Sequence, residues 1–222
     1  MPINPVYRSA MDLPETVAVF PLPGALLLPR GELPLNIFEP RYIALIDHAL
    51  AGERLIGMIQ PDYEATDLSE APPLVSVGCL GRLTAFQETG DGRYLITLTG
   101  VARFRIVKEE TVTTPFRQCH VNFEPFIEDL VPGSGEESVD RPALLRALEA
   151  YLAANKLEAD WSGIRRASNE ALVNALSMMS PYGTREKQAL LEAPDLKSRA
   201  DILVAVTEME LASRSDSENS LQ

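Results

Sequence analysis

The side chains able to carry nucleophilic, acid–base or metal chemistry are few, and their spacing does not assemble them. Cys79 and Cys119 stand far apart with no C-x-x-C pairing, so neither a zinc site nor a disulfide framework is indicated. His48 and His120 are the only histidines, too few for a three-histidine metal centre. His120 follows Cys119 directly, and neighbours along a strand face opposite ways, so these two cannot form a dyad with each other. His48 falls near the end of an expected helix, where an imidazolium complements the helix dipole. The four lysines, Lys108, Lys156, Lys187 and Lys197, sit in polar, exposed-looking surroundings that would not depress an ammonium for Ser–Lys chemistry. The P-loop, the dinucleotide-binding glycines, the G-x-S-x-G elbow and H-E-x-x-H are all missing. The reading is a non-enzymatic chain with no cofactor and no metal.

The elements that would position any site divide the chain near residue 130. Upstream, short Val-, Ile- and Phe-rich runs alternate with Pro and Gly; downstream, Ala, Leu and Glu dominate. The seam LVPGSGEESV, residues 130–139, has linker composition. In the first part the spacing predicts strands at 17–20, 35–38, 55–59, 74–88, 94–99, 102–107 and 119–123. Gly78 and Gly81 suit a bulge or bend, and Thr89-Gly90-Asp91-Gly92 suits a hairpin turn. An inserted helix over 40–50 opens on Pro40, shows an apolar stripe of Tyr42, Ile43, Ile46, Ala49 and Leu50, and stops at Gly52. Many short strands with turns between them indicate a barrel or strongly bent sheet.

The second part reads as helices. Asp140 caps the first, with Leu144, Leu145, Leu148, Tyr151 and Leu152 inward. Ser168 caps the next, with Leu172, Val173, Leu176 and Met179 inward; Thr184 and Asp195 open two more, the last running to about residue 211. The polar, Ser-rich stretch 213–222 is expected to be disordered. The expected units are therefore a β domain over 14–127 and a helical bundle over 139–212, with flexible tails at 1–13 and 213–222.

Charge restricts the partners. Thirty-two acids against 20 bases give −12 at pH 7. Residues 1–127 hold 10 bases and 15 acids and residues 128–222 hold 10 and 17, so neither part hides a basic surface. Nucleic acid and anionic lipid both demand such a surface. No signal-peptide pattern and no apolar run of membrane-spanning length occur, which places the chain in the cytoplasm as an expectation.

One segment departs from regular periodicity. FPLPGALLLPRGELPLNIFEPRY, residues 20–42, is dense in Pro and large apolar residues. Either the prolines pin an extended ribbon whose leucines fill the core, or part of the ribbon lines a groove for an extended guest chain. Extended through IALIDHAL, this segment resembles the opening of the N-terminal domain of Lon proteases in its stand-alone bacterial form. The later stretch VGCLGRLTAFQETGDGRYLITLTGVARFRIV is similar to that family's second signature, a glycine-bearing strand, a D-G hairpin and a Gly-x-x-Arg-Phe turn, here Gly100, Arg103 and Phe104.

The resemblance implies an α+β fold, a PUA-like β pseudo-barrel with an inserted helix followed by a C-terminal helical bundle. It also implies a substrate-recognition role, binding unfolded or partly folded proteins, alone or with a Lon-type protease. The ATPase and Ser–Lys protease modules of full-length Lon are absent from the sequence. Within the resemblance, Glu39, Pro40 and Arg41, with Gly100, Arg103 and Phe104, read as structural, Arg41 pairing across the barrel. A guest-chain site is expected near Leu26, Leu27, Leu28, Pro29, Phe38 and Tyr42. A PUA-like nucleic-acid binder and a small carboxylate-using hydrolase are the alternatives; the sequence leaves oligomeric state open.

Overall fold

Short apolar runs, each ended by Pro, Gly or a polar turn, give strands that must find their partners at long range. The computed structural model describes residues 5–62 and 72–219. Its strands are β1 (Thr16–Pro21), β2 (Glu32–Ile37), β3 (Leu55–Ile59), β4 (Val77–Glu88), β5 (Tyr94–Glu109) and β6 (Arg117–Asn122). They form one sheet in the order β2-β5-β4-β3-β1-β6, and β6 also pairs back onto β5. Five strands thus close into a ring, with β2 attached outside it along the first half of β5, from Ile37↔Tyr94 to Glu32↔Thr99. β1 and β3 run parallel, as Val19↔Gly57 shows. Their crossover holds the Pro-rich ribbon, β2 and helix α1 (Pro40–Ala51). This is the α+β pseudo-barrel that the resemblance implies.

The two strands expected over 94–99 and 102–107 are one strand of 16 residues. Gly100 and Val101 make a bulge rather than a turn: Gly81↔Gly100 and Leu80↔Ala102 are successive pairs, so the extra residue, Val101, lies on β5 opposite the Leu80–Gly81 step of β4. Phe104 shows why β3 and β4 each carry a glycine. Its ring lies over both strands, and a Cβ on Gly78 or Gly57 would come within 2.5 Å or 3.0 Å of it. A second irregularity, between Leu83 and Ala85, leaves Ala85 exposed to solvent.

Five helices follow: α2 (Arg141–Asn155), α3 (Trp161–Arg166), α4 (Asn169–Met179), α5 (Thr184–Glu192) and α6 (Leu196–Asn219). Asp140 caps α2 by accepting from the Ala143 N–H at 2.9 Å, and Ser168 caps α4 by accepting from Ala171 at 3.2 Å. α3 has no counterpart in the sequence reading; six residues are too short for a periodicity, though Asp160 accepts from Ser162 and Gly163 as a cap. α6 continues to Asn219 instead of ending near 211. No Gly or Pro interrupts it, and each added residue extends an existing helix without a new nucleation cost. Of the tails expected to be flexible, residues 1–4 and 220–222 lie outside the described residues. Residues 10–12 form a 3-10 turn held by Asp12 on the Arg8 and Ser9 amides, both 2.9 Å, with Leu13 buried.

Two apolar clusters hold these elements. One lies within the ring, around Val17, Val19, Leu80, Phe104, Cys119 and Val121. The larger joins the opposite sheet face to α1 and to the C-terminal helices: Leu26, Leu28, Ile46 and Leu98 share it with Leu144, Val173, Leu190 and Leu203.

Candidate functional site

The Pro-rich ribbon is the middle of this larger core. Leu26, Leu27 and Leu28 are at most 2% exposed, and Pro29 is buried beside them. The ribbon crosses β5 at Gly100, where Arg30 N–H donates to the Gly100 carbonyl (2.8 Å) and Gly100 N–H to the Gly31 carbonyl (2.9 Å). A Cβ on Gly100 would stand 2.0 Å from the Leu28 carbonyl oxygen, so this signature glycine exists for backbone approach. From the other side α4 closes over the ribbon. Asn174 Nδ2 donates to the Pro29 carbonyl at 3.0 Å, and Arg30 pairs with Glu170.

The expected guest-chain set is therefore split. Leu26, Leu27, Leu28 and Pro29 present no area to a guest in this conformation. Tyr42 is also buried, its ring 4.1 Å from Phe20 and its hydroxyl donating to the Pro21 carbonyl at 3.2 Å. Phe38 alone is open, 60% exposed, with the Arg93 guanidinium 5.8 Å from its ring. Around it, Glu39 precedes α1 and Pro40 occupies its first turn. Arg41 does not reach across the barrel: it pairs with Glu39 at 2.8 Å and lies over the Tyr42 ring at 4.5 Å.

Arg103 is 3% exposed and joins the barrel to the helices. Its Nε and Nη2 donate to the two carboxylate oxygens of Asp129 at 2.8 and 2.9 Å, its backbone N–H also bonds Asp129, and Nη1 donates to the Leu191 and Ala193 carbonyls at the end of α5. The Phe126 ring lies 4.5 Å beneath the guanidinium. Close by, buried Arg199 donates to the Leu190 carbonyl (2.9 Å) and to Asn174 Oδ1 (3.1 Å). Burial, then repulsion from Arg103, lowers the Arg199 pKa to about 10. Asp129, Asn174 and Arg199 leave no mark of this in the sequence, because a lone charged or amide side chain normally faces solvent. Arg103 did leave a signal: it stands between two residues, Ala102 and Phe104, that a both-faces-buried strand would bury.

The thiols, imidazoles and ammonium groups that could carry chemistry stay apart. Cys79 and Cys119 are buried free thiols; burial raises both pKa values, that of Cys119 to about 11, which keeps them protonated and poorly nucleophilic. His48 is exposed at the last turn of α1 beside Phe116, ring centres 5.2 Å apart. Lys187 differs from its expected setting: it is half-buried, donates to the Gly24 carbonyl at 3.0 Å, and has its pKa lowered by burial. No group of three or more His, Cys, Asp or Glu among the described residues could hold a metal.

An open apolar groove lies between α2, α4 and α6. Its volume is about 390 Å³, and it is walled by Leu148, Tyr151 and Leu152 of α2, Leu176 and Met179 of α4, and Leu203, Val204 and Thr207 of α6, with Leu157, Pro181 and Tyr182 also on its lining. No charged side chain lines it. Met179, expected inward, is 82% exposed, and Leu157 is 54% exposed. The outward turn has a physical cause: buried Asn174 and Ser177 occupy the face of α4 that meets the ribbon, which rotates Met179 to the rim. The signal was present as two apolar helix stripes wider than one packing partner can cover.

A pseudo-barrel sealed by helices, bearing an open apolar groove, defines a domain organised around contact surfaces. Residues 16–207 match the ATP-dependent protease La (LON) substrate-binding domain, and the chain belongs to that family. It is 28% identical to Lon protease 2 of Sorangium cellulosum over 203 residues and 27% identical to Lon protease 2 of Myxococcus xanthus over 202, covering 89% and 87% of this chain. It spans about a quarter of the length of those relatives, 25% and 23%. Among solved structures it is similar to the Lon N-terminal domain protein from Xanthomonas campestris (TM-score 0.60, 19% identity, 86% of this chain and 97% of that one). It is also similar to the N-terminal domain of Mycobacterium avium complex Lon protease (TM-score 0.62, 19% identity, 87% and 98%).

Proposed function

We propose that this domain captures exposed apolar segments of unfolded or partly folded proteins, without chemistry of its own, and does so in the groove between α2, α4 and α6. The observation that carries the placement is an uncharged, open groove on a chain of net charge −12. Guest side chains would leave water there at roughly 25 cal/mol per Å² of apolar area. The acidic surround favours clients with basic flanks and acts more on encounter rate than on affinity. We place the protein in the cytoplasm, acting alone or with a Lon-type protease; two buried, unpaired thiols support that compartment. No helix among the described residues is long and apolar enough to cross a membrane. We also propose 14–127 and 139–212 as the units of sequence organisation.

The test is fluorescence anisotropy of one labelled client, compared folded and reduced-unfolded, at two salt concentrations. Binding confined to the unfolded client and little weakened by salt is expected. Equal binding of the folded client, or binding abolished by salt, would overturn the reading in favour of a folded or electrostatic partner.

A further inference from the structure

The groove has a polar pin in its wall, and the direction of its hydrogen bonds can be worked out. Thr207 Oγ1 lies 2.7 Å from the Leu203 carbonyl, which can only accept, so the single threonine proton is committed there. Tyr182 Oη lies 2.6 Å from the same Thr207 oxygen. Thr207 has no second proton to give, so Tyr182 must donate. The phenol oxygen then keeps lone pairs and has no proton left for the groove. Both residues line the cavity, where Tyr151 and Ser180 bring the other side-chain hydroxyls among apolar neighbours, and Tyr182 presents a hydrogen-bond acceptor whose own proton is already committed.

Resting on the groove as the capture site, we propose that the Tyr182–Thr207 pair is specificity-determining and selects large apolar side chains that carry one neutral hydrogen-bond donor, with the indole of tryptophan as the fitting chemistry. An indole buries a large apolar area and offers a single N–H. A phenyl or alkyl side chain fills the space but leaves the Tyr182 oxygen stripped of water and unpartnered. An ammonium or guanidinium has a donor but loses its hydration against uncharged walls. The selection is for a donor that meets the one hydroxyl oxygen whose proton is fixed elsewhere, in a slot whose walls are mostly apolar, which is how such sites generally fix orientation.

The probes are indole and indene, the same bicyclic frame with the N–H replaced by CH₂. Each is titrated into the intact protein by NMR, following groove methyl resonances. Indole should bind about 5-fold more tightly, the scale of one net hydrogen bond. Tyr182→Phe should bring the two affinities together without loss of indene binding. Thr207→Val should narrow the preference without erasing it, because the Tyr182 proton loses its fixed acceptor and the hydroxyl no longer holds one orientation toward the guest. Ser180→Ala, which alters a neighbouring hydroxyl on the lining, should leave the preference intact, and melting curves confirm that each variant is folded. Equal binding of indole and indene to the wild type, or a preference that survives Tyr182→Phe or vanishes in Ser180→Ala, overturns the inference while leaving the groove as a capture site. Binding of neither probe removes the groove itself, and the functional reading falls with it.

Discussion

The ribbon over residues 22–31 and the groove between α2, α4 and α6 are built from the same kind of residue, yet one is sealed and the other open. Leu28 is buried in a ribbon that Arg30 and Gly31 tie to β5 and Pro29 ties to α4, and Met179, five residues beyond Asn174 on the helix that seals the ribbon, looks outward. The difference lies in the polar atoms around each. The ribbon crossing brings backbone groups that must be matched, and Gly100 and Asn174 match them. The groove walls are helices whose backbone is already satisfied, so their side chains can remain open to solvent or to a guest. Apolar content alone does not say which surface is buried; the fate of the nearby backbone does.

The comparison breaks most severely at Gly100. A Val there should prevent folding, and Gly100→Ala should cost about 3 kcal/mol, because the added Cβ meets a backbone oxygen that cannot move aside. On a chain of this size that lowers the melting midpoint by roughly 6–12 °C. Arg103→Ala follows, with an expected loss of about 3–5 kcal/mol, since Asp129 would remain buried without its counter-charge. If the barrel and helices then melted in two steps, Arg103 would be what makes them one cooperative unit. Leu28→Ala should cost about 2–5 kcal/mol with client affinity per folded molecule unchanged. A stable Leu28→Ala protein that no longer binds client would invert the assignment of the two regions.

Much of this fold was legible. The strand at 55–59, the helix beginning at Pro40 and the caps at Asp140 and Ser168 are local features, set by period and by which side chain can accept from free amides. Long-range events were not legible. Whether Gly100 is a turn or a bulge depends on a ribbon seventy positions upstream, and Met179 depends on what the opposite side of α4 must satisfy. The candidate site is harder to read than the fold for the same reason. Leu26 to Pro29 are apolar by their own chemistry, but the ribbon that carries them is bonded to α4, far along the chain.

A smaller effect sharpens the groove side. Met179→Asp should leave stability within about 0.5 kcal/mol, because the side chain is already in water. It should weaken unfolded-client binding roughly 10-fold by placing a charge on the rim of an apolar contact. The paired control is Phe38→Asp, on the far patch beside Arg93: unchanged binding there would confine capture to the helical groove, and a comparable loss would mean that the guest reaches both surfaces.

The smallest effect separates the two regions by pH. Asp195 accepts from the Ser198 N–H at 2.7 Å at the start of α6, and Glu136 accepts from the Glu170 N–H at 2.7 Å at the start of α4; those bonds hold both carboxyl pKa values below their ordinary values. A depressed carboxylate contributes stability that is fully present above its unfolded pKa, near 4 for Asp, and is lost as pH falls through the lower folded value. α4 and α6 wall the groove, whereas the comparable carboxylate on the strands, Asp91, which Thr89 and the Arg93 N–H likewise hold below its ordinary pKa, sits in the exposed turn between β4 and β5 rather than against the buried ring. Acidification below about pH 4 should therefore loosen client binding before it melts the sheet. Asp195→Asn keeps an acceptor that does not titrate, so its binding should fall less steeply between about pH 4 and 2.5 than that of the wild type. Near-UV and far-UV circular dichroism beside anisotropy would read both regions in one titration. If sheet signal and binding were lost together in both proteins, the groove would be no softer than the barrel, and the contrast between the regions would be one of exposure alone.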